Sequence, residues 1–319
     1  MATATSVRLL RNIGANVEYY INNRFTQGYG LNKSGIKEML KKYPDTKLVI
    51  TVDNGIMAHD GAKYLDSMNI KLIITDHHEQ GDSLPKADAI INPKAKREVY
   101  PFKELCGAGV IWKLLLLLYW ELDKDLNIVY DHLDMVALAT VGDVVPLVDE
   151  NRIITKKGIR LIKKEKHPAF KVLREITQVN DITSHYTLAF IYAPMINAVG
   201  RIEGNVNIAV DMFLSEDESE IRKTAQHLLK INEFRKDLTM DQYKKSQTMI
   251  KNNIEEILIV ESENFHEGLV GLISGRLKEK YNRPTIVLKN DGKYMKGSAR
   301  SIEGFHIKKA FDKCKDVLE

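Results

Sequence analysis

Apolar residues in the first 145 positions fall into two alternating patterns. Short runs rich in Val and Ile, bounded by polar residues, Gly or Pro, predict strands at 17–21, 47–52, 71–75 and 87–91. Segments with helical periodicity predict helices at 33–42 and 55–68. Strands that alternate with helices in this way indicate an α/β fold with a parallel sheet flanked by helices.

The pattern changes beyond Asn151. Helices dominate from 151 to 253, where Ser215 and Glu218 suggest a capping box that opens a long polar helix, with a break near Asn232. A second α/β pattern then follows, with strands at 256–260, 285–288 and 294–299 and a helix at 269–281. We therefore expect three parts: a sheet domain at 1–150, a helical extension and connector at 151–253, and a second, smaller α/β domain at 254–319.

Composition narrows the class of protein without fixing its function. The 47 Lys and Arg residues exceed the 43 Asp and Glu residues by four, which permits a nucleic-acid partner but does not require one. Only Cys106 and Cys314 are present, which favours a reducing cytoplasm. The most apolar run, 114–120, is far shorter than the roughly 20 residues of a membrane span, and no signal-peptide pattern stands at the start.

Acids and histidines stand where strands and helices of the first domain end. Asp53 closes the second predicted strand, the triplet Asp76-His77-His78 closes the third, and Asp143 follows an apolar helix. In parallel sheets the ligand sits outside the carboxyl ends of the strands. Carboxylates and imidazoles are ligands that suit Mn²⁺ or Mg²⁺, which can hold a phosphoryl oxygen. A single Asp after a strand is more often a turn former or helix cap, so the metal-site interpretation depends on the set.

The order of these motifs resembles the DHH phosphoesterase superfamily. Thr75-Asp76-His77-His78 is similar to the signature that names it, and Val52-Asp53 and Gly142-Asp143 match its neighbouring metal motifs. Further segments resemble the RecJ-type exonucleases in particular; they are 24–31, 106–110, 196–201, 265–268 and 296–301. The resemblance implies a DHH domain at the start, a DHHA1-like domain at the end, and hydrolysis of single-stranded DNA.

The resemblance also implies roles for the candidate residues. Asp53 would bridge two ions, Mn²⁺ or Mg²⁺, and His77 and Asp143 would complete one of them. His78 would contact the scissile phosphate or assist the leaving group, and Asp76 would orient the histidines beside it. Gln27 departs from the glutamate often found before Gly-Tyr-Gly in the family.

Two family motifs are not in this sequence. An Asp-x-Asp-Gly motif on a preceding strand and a Gly-Gly-His segment after the last residues would belong to the complete pattern. We therefore expect a chain cut short at both ends, with half of its two-ion site missing and weak activity or none.

A nuclease of single strands needs cations and flat surfaces on which bases stack. The resemblance points to Arg24 and Arg201, and the last domain offers further candidates for binding nucleic acid: His266, Arg276, Lys296, Ser298 and Arg300, with Tyr294 and Phe305 for stacking. A buried salt bridge is the competing interpretation for Arg201. Close helix packing is the competing interpretation for Gly268 and Gly271.

The leading hypothesis is a metal-dependent 5′–3′ exonuclease of single-stranded DNA that acts in repair and recombination. Single-stranded DNA would be its substrate, and a single-stranded-DNA-binding protein and a helicase are expected partners. One alternative keeps the chemistry on a small substrate, nanoRNA or a cyclic dinucleotide. The other alternative is a non-catalytic DNA-binding module, although such a module has no need of Asp53, Asp76, His77, His78 and Asp143.

Overall fold

The structure, a computed structural model, describes residues 1–180, 182, 184–250, 255–314 and 316. The chain divides into two units, Met1–Val199 with Gly204–Leu229 and Gly200–Glu203 with Lys230–Glu319. The boundary expected at 253/254 lies outside the described residues, and the three-part division stays a prediction.

The first unit contains a parallel sheet of three strands in the order β1-β2-β3. They are β1 (Leu48–Val52), β2 (Lys71–Thr75) and β3 (Ala89–Ile91), close to the ranges expected from the apolar runs. In the register, Val52 pairs with Thr75 and Thr75 with Ile91, so the three strands end together. The residues that follow them therefore share one edge of the sheet.

The strand expected at 17–21 does not form among the described residues. Two of its carbonyl groups are bound by side chains instead of by a neighbouring strand, since Arg11 donates to Val17 and Tyr43 donates to Tyr19. A strand needs a partner for its backbone groups, and β1 pairs only with β2 in the described sheet. The sequence pattern of 17–21 favours a strand, but no described strand lies beside this segment to pair with it.

Helices surround this sheet. Among them α4 (Gly107–Glu121) and α6 (Leu133–Gly142) carry the most apolar sequences. Helix α6 buries Met135, Val136 and Ala137 completely, whereas α4 leaves Trp120 64% exposed. No helix in the described part of the chain is long and apolar enough to cross a membrane. The helices up to α11 are α1 (Ala2–Asn12), α2 (Lys33–Lys42), α3 (His59–Ser67), α4 (Gly107–Glu121), α5 (Leu126–Asp131), α6 (Leu133–Gly142), α7 (Asp149–Lys164), α8 (Pro168–Thr177), α9 (His185–Thr187), α10 (Ala193–Ile202) and α11 (Asn207–Leu214), with a π-helical turn at Leu188–Tyr192 between α9 and α10.

The long helix α12 (Glu218–Met249) contains the boundary between the two units. Its start is capped by Asp217, whose Oδ1 accepts the amides of Ser219 and Glu220, and not by Ser215 as the sequence suggested. The expected break near Asn232 is absent, because that side chain is buried and accepts a hydrogen bond from Arg235 within the helix.

The second unit contains a mixed sheet in the order β4-β5-β6. Strands β4 (Leu258–Ser262) and β5 (Thr285–Asn290) are parallel, and β6 (Met295–Arg300) runs antiparallel to β5. Helix α13 (Val270–Tyr281) packs on the sheet, and α14 (Ile307–Lys313) follows β6. The core of this unit is apolar and comprises Val260, Phe265, Leu269, Val270, Ile273, Leu277 and Val287.

Candidate active site

Asp53 stands at the edge where the three parallel strands end. Its amide continues the ladder by donating to the carbonyl of Thr75 at 3.0 Å, and its φ is +65°. Asp is one of the few residues that enter the left-handed region readily. The chain therefore turns sharply here, and the following Gly55, at φ +115°, completes the turn with a Cβ position only 2.9 Å from Thr51 Oγ1.

His77 is buried between two carboxylates. Its Nε2 lies 3.1 Å from Oδ1 of Asp53 and 3.3 Å from Oδ2 of Asp143. Burial alone would lower its pKa, but the charges of Asp53, Asp143 and Asp76 outweigh burial and raise it. Both ring nitrogens are buried without an aligned hydrogen bond. A buried imidazole left in this state between carboxylates fits a cation that takes its electron pair.

Asp143 reaches the site from the end of α6. Its amide donates to Ala139 at 2.9 Å, so the helix fixes the residue directly before the chain turns. Burial and the charge of Asp53 raise the pKa of its carboxyl against the lowering effect of His77. Two carboxylates that repel each other around one imidazole are stabilised when a divalent ion neutralises them.

Asp76 holds the loop that carries the histidines. Its carboxylate is 1% exposed and accepts the amides of Ile56, His77 and His78. Burial raises its pKa, but these amides and the ring of His78 outweigh burial and lower it. Oδ1 also lies 2.7 Å from Nδ1 of His78. The His78 side chain is otherwise 60% exposed, so its Nε2 is accessible to a substrate.

The start of α4 forms one wall of the site. A cavity of about 200 Å³ lies here, bordered by Asp53, Asp143, Cys106, Gly107 and Asn197 among others. A Cβ on Gly107 would lie 2.2 Å from Oδ1 of Asp53, so only glycine lets the helix approach this carboxylate. The sequence indicated this wall only through the resemblance of the segments 106–110 and 196–201, and it assigned no role to Gly107 or Asn197.

The structure therefore brings together most of the predicted metal residues. Ligand atoms of Asp53, His77 and His78 lie within 4.8 Å of one another, and Asp143 joins the group through its 3.3 Å approach to His77. Oxygen and nitrogen donors of this kind suit Mn²⁺ and Mg²⁺. The resemblance gave His78 a role at the phosphate and not at the ion, and its position within this group of ligand atoms is compatible with either role.

Three of the predicted nucleic-acid residues are arginines of the second unit that lie near enough to affect one another through their charges, together with a fourth arginine that the sequence did not single out. Burial and the charge of Arg300 lower the pKa of Arg201; burial and the charges of Arg201 and Arg276 lower the pKa of Arg235. None of the four forms an ion pair with a carboxylate within the described ranges. The salt bridge considered for Arg201 is therefore not observed there. Four guanidinium groups that repel one another are a strong attractor for phosphate.

The residues predicted on β6 share one side of the strand. Lys296, Ser298 and Arg300 alternate along it. A Cβ on Gly271, in the first turn of α13, would be 3.2 Å from Ser298 Oγ and 3.8 Å from Arg300 Nη2. Lys296 lies 3.6 Å from Glu267, so its charge is partly offset.

His266 and Gly268 act first on their own loop. His266 Nδ1 accepts the amide of Gly268 at 3.1 Å. A Cβ on Gly268 would lie 1.9 Å from the carbonyl oxygen of Arg201, which supports the packing interpretation for this glycine. Helix α13 begins after this loop, at Val270.

Arg24 lies in the first unit, in the loop before α2. Its guanidinium is 4.8 Å from the ring centroid of Tyr29, which is 71% exposed. A Cβ on Gly30 would be 4.0 Å from Oδ1 of Asn54, the neighbour of Asp53. This loop therefore borders the turn that carries the site.

Comparison with known proteins adds a family match. Residues 1–140 match the DHH family, N-terminal domain. The chain is 36% identical to the single-stranded-DNA-specific exonuclease RecJ of Bacillus subtilis over 99% of its length and 40% of that protein. It is 34% identical to the protein of the same name from Escherichia coli, over 98% of this chain and 57% of that one. The chain thus spans about half the length of these curated relatives.

Solved structures show the same fold. A crystal structure of exonuclease RecJ bound to manganese matches 99% of this chain and 78% of its own, with a TM-score of 0.85 and 28% identity. RecJ of Thermus thermophilus in complex with Mn²⁺ matches 99% of this chain and 45% of its own, with a TM-score of 0.86 and 26% identity. These likenesses confirm the expected α/β fold with its parallel sheet and flanking helices.

Proposed function

We propose that this chain, which is similar to the RecJ exonucleases and whose residues 1–140 match the DHH family, hydrolyses phosphodiester bonds of single-stranded DNA with the help of Mn²⁺ or Mg²⁺. The observation that carries the proposal is the state of His77. Its nitrogens are buried without aligned hydrogen bonds, and its Nε2 stands 3.1 Å and 3.3 Å from two carboxylates.

Asp53, His77 and Asp143 are the proposed ligands of the ion. When bound, the ion supplies positive charge that stabilises the charge developing on the phosphate. The backbone of Asp53 is fixed by its ladder hydrogen bond and that of Asp143 by the end of α6, so both residues are held beside His77 from a rigid main chain. Preorganised ligands of this kind reduce the cost of reorganisation during the reaction.

His78 is the proposed proton donor or phosphate contact. Asp76 accepts a hydrogen bond from its Nδ1 at 2.7 Å, which fixes the tautomer and leaves Nε2 toward the open side. When the ring carries a proton on both nitrogens, the proton on Nε2 can pass to the oxygen of the leaving group, and the neutral ring that remains keeps its Nδ1 hydrogen on Asp76. Asp76 acts by positioning this ring, because its own oxygens are occupied by amides.

The arginine cluster of the second unit is the proposed contact for the strand. Arg201, Arg235, Arg276 and Arg300 repel one another without a carboxylate partner in the described chain, and a phosphate backbone relieves that repulsion. We extend the proposal to Arg24, which lies over the ring of the exposed Tyr29, and to Ser298 and Lys296, which share one side of β6. We also include His266 of the second unit, whose Nδ1 accepts the amide of Gly268 and holds the loop before α13.

We further propose weak hydrolysis by this chain alone. Asp53, His77 and Asp143 supply three ligands, enough for one ion, whereas two-ion hydrolysis needs ligands for both. Titration with Mn²⁺ is expected to give one site per chain. Two equivalent sites would overturn this part of the proposal.

The setting follows from the substrate. We propose action from the 5′ end, in repair and recombination, in the cytoplasm, where its thiols Cys106 and Cys314 stay unpaired. A single-stranded-DNA-binding protein and a helicase are the proposed partners, since they generate and present such strands.

The test is a hydrolysis assay with Mn²⁺ and DNA strands labelled at either end. The unchanged chain is expected to release mononucleotides from the 5′ end of single strands, and His77→Ala to release none. Hydrolysis restricted to dinucleotides would replace the proposal by a small-molecule phosphodiesterase. Strand binding with no Mn²⁺ binding would replace it by a binding module.

A further inference from the structure

The helix that borders the metal cavity carries a pair of exposed aromatic rings. Tyr186 and Phe190 are 60% and 63% exposed, and their ring centroids are 4.6 Å apart at an angle of 34°. Exposed aromatic residues that stack on each other leave flat apolar faces toward solvent. Neither ring belongs to the candidate active site, and the sequence pattern had not singled them out.

The backbone at this pair departs from a regular α-helix. Residues Leu188–Tyr192 form a π-helical turn, in which the amide of Ala193 donates to the carbonyl of Leu188. Pro194 explains the departure, because it has no amide hydrogen and its ring would clash with the carbonyl four residues earlier, that of Phe190. π-Helical turns of this kind occur often at functional sites.

Burial divides this helix into two sides. Leu188 and Tyr192 are fully buried and Met195 is 1% exposed, so they anchor the inner side. Tyr186, Phe190 and Asn197 are exposed. Seven residues make about two turns, so Phe190 and Asn197 lie on the same side of the helix.

This exposed side leads directly to the metal cavity. Ala193, Ile196 and Asn197 of the same helix border that cavity. At about 1.5 Å per residue, Phe190 is about 10 Å from Asn197 along the helix, or about three positions of a stacked strand at 3.4 Å each. A phosphodiester held at the ion would thus have bases of neighbouring nucleotides beside the two rings.

We propose that Tyr186 and Phe190 form a stacking platform for bases of the single strand whose phosphate occupies the metal site. This inference rests on the proposed function and adds to it a specific binding contact. Stacking on an aromatic ring accepts every base, because each base has a flat π-face. The platform therefore favours unpaired strands without reading their sequence, since bases in a duplex are already stacked on each other.

The test measures binding of a fluorescent single-stranded oligonucleotide by the whole chain, with Ca²⁺ replacing Mn²⁺. Phe190→Ala and Tyr186→Ala are each expected to weaken binding about tenfold. Phe190→Tyr and Tyr186→Phe, which keep the rings, are expected to retain the affinity. Trp120→Ala is the matched control, because Trp120 is 64% exposed in the same unit but lies at the far end of α4 from the cavity.

Strands with one abasic nucleotide locate the contact. Moving the abasic position along the strand is expected to reveal one or two positions where the unchanged chain loses affinity and Phe190→Ala loses nothing more. Equal loss by Phe190→Ala on intact and abasic strands at every position would overturn the platform. If Phe190→Ala and Tyr186→Ala both keep the full affinity while the original chain binds and hydrolyses DNA, the platform alone is rejected. Failure of the unchanged chain to bind or hydrolyse any strand would overturn the proposed function and the platform together.

Discussion

The carboxylate of Asp76 and the ring of His78 form a fixed pair, with Oδ1 2.7 Å from Nδ1. The carboxylate is 1% exposed, whereas the His78 side chain is 60% exposed. A buried acceptor thus determines the orientation of an accessible imidazole. The two histidines therefore have different partners, because His77 lies between the carboxylates of Asp53 and Asp143 instead.

Asp76→Asn tests this orientation. An amide accepts less strongly from Nδ1 and offers a competing donor, so we expect hydrolysis to fall about 10- to 100-fold. Mn²⁺ affinity, measured by calorimetry, is expected to change much less than the rate. A rate equal to that of the unchanged chain would contradict the positioning role.

Asp88→Asn is the matched control for that variant. Asp88 accepts the amide of Leu72 at 2.9 Å at the amino end of β2, whereas Asp76 follows its carboxyl end. Both carboxylates accept backbone amides, but only Asp76 contacts a candidate catalytic ring. We expect Asp88→Asn to leave the rate within about twofold.

Gly107→Ala tests the close approach of α4 to the ion site. The added Cβ would lie 2.2 Å from Oδ1 of Asp53, so the carboxylate must move. We expect Mn²⁺ affinity to fall at least about tenfold by calorimetric titration, although alanine itself favours a helix by up to about 1 kcal/mol. Gly109→Ala, where the nearest atom is the flexible Leu105 Cδ2 at 3.3 Å, is expected to keep the affinity. Similar Mn²⁺ binding by both variants would argue against a wall built on Gly107.

The sequence was sufficient to predict the sheet edge and its acids. Each of β1, β2 and β3 is a short β-branched run, and the acids directly after β1 and β2 have nowhere to lie except the common edge. The sequence pattern alone therefore places Asp53 and His77 near each other at this edge.

Other features depended on partners that lie far apart in sequence. The segment 17–21 has a strand pattern, but Arg11 and Tyr43 bind its carbonyls. Arg235 joined the arginine cluster only because α12 continues unbroken past Asn232. The π-helical turn depends on Pro194 and on buried anchors at Leu188 and Tyr192. Periodicity cannot reveal contacts of this kind, because it describes one segment at a time.

His167 is expected to make the first unit sensitive to acid. Burial lowers its pKa to about 4, below the usual value near 6.5. The folded chain therefore resists protonation of this ring. The stability that the neutral His167 contributes is complete above pH 6.5 and is lost as the pH decreases toward 4. We expect His167 to contribute a loss of about 3 kcal/mol between pH 7.5 and 4.5, measured as the difference in urea unfolding between the unchanged chain and His167→Asn, because Asp134 contributes in the opposite direction in both chains.

His167→Asn should remove most of that loss, since asparagine is a good helix cap and does not ionise. His167 Nδ1 accepts the amide of Ala169, and Nε2 donates to the carbonyl of Phe213 at 3.1 Å. The variant thus loses one hydrogen bond, about 1 kcal/mol at pH 7.5. His59→Asn, at an exposed histidine, is the control. An unchanged acid response in His167→Asn would rule out His167 as the sensitive group.

Asp134 is expected to act in the opposite direction. It is 3% exposed in the first turn of α6, and burial raises its pKa to about 7. The folded chain binds a proton that the unfolded chain releases near pH 3.8, so stability falls as the pH rises from about 4 to 7. Asp134→Asn keeps the shape without the charge and is expected to be more stable than the unchanged chain at pH 8. That advantage should shrink by about 3 kcal/mol at pH 5, measured by urea unfolding at both values.

Asp131→Asn, which removes an exposed carboxylate paired with Lys166, is expected to change stability by less than about 1 kcal/mol at either pH. A constant difference between Asp134→Asn and the unchanged chain at pH 5 and pH 8 would mean that the folded chain accommodates the ionised carboxylate without cost.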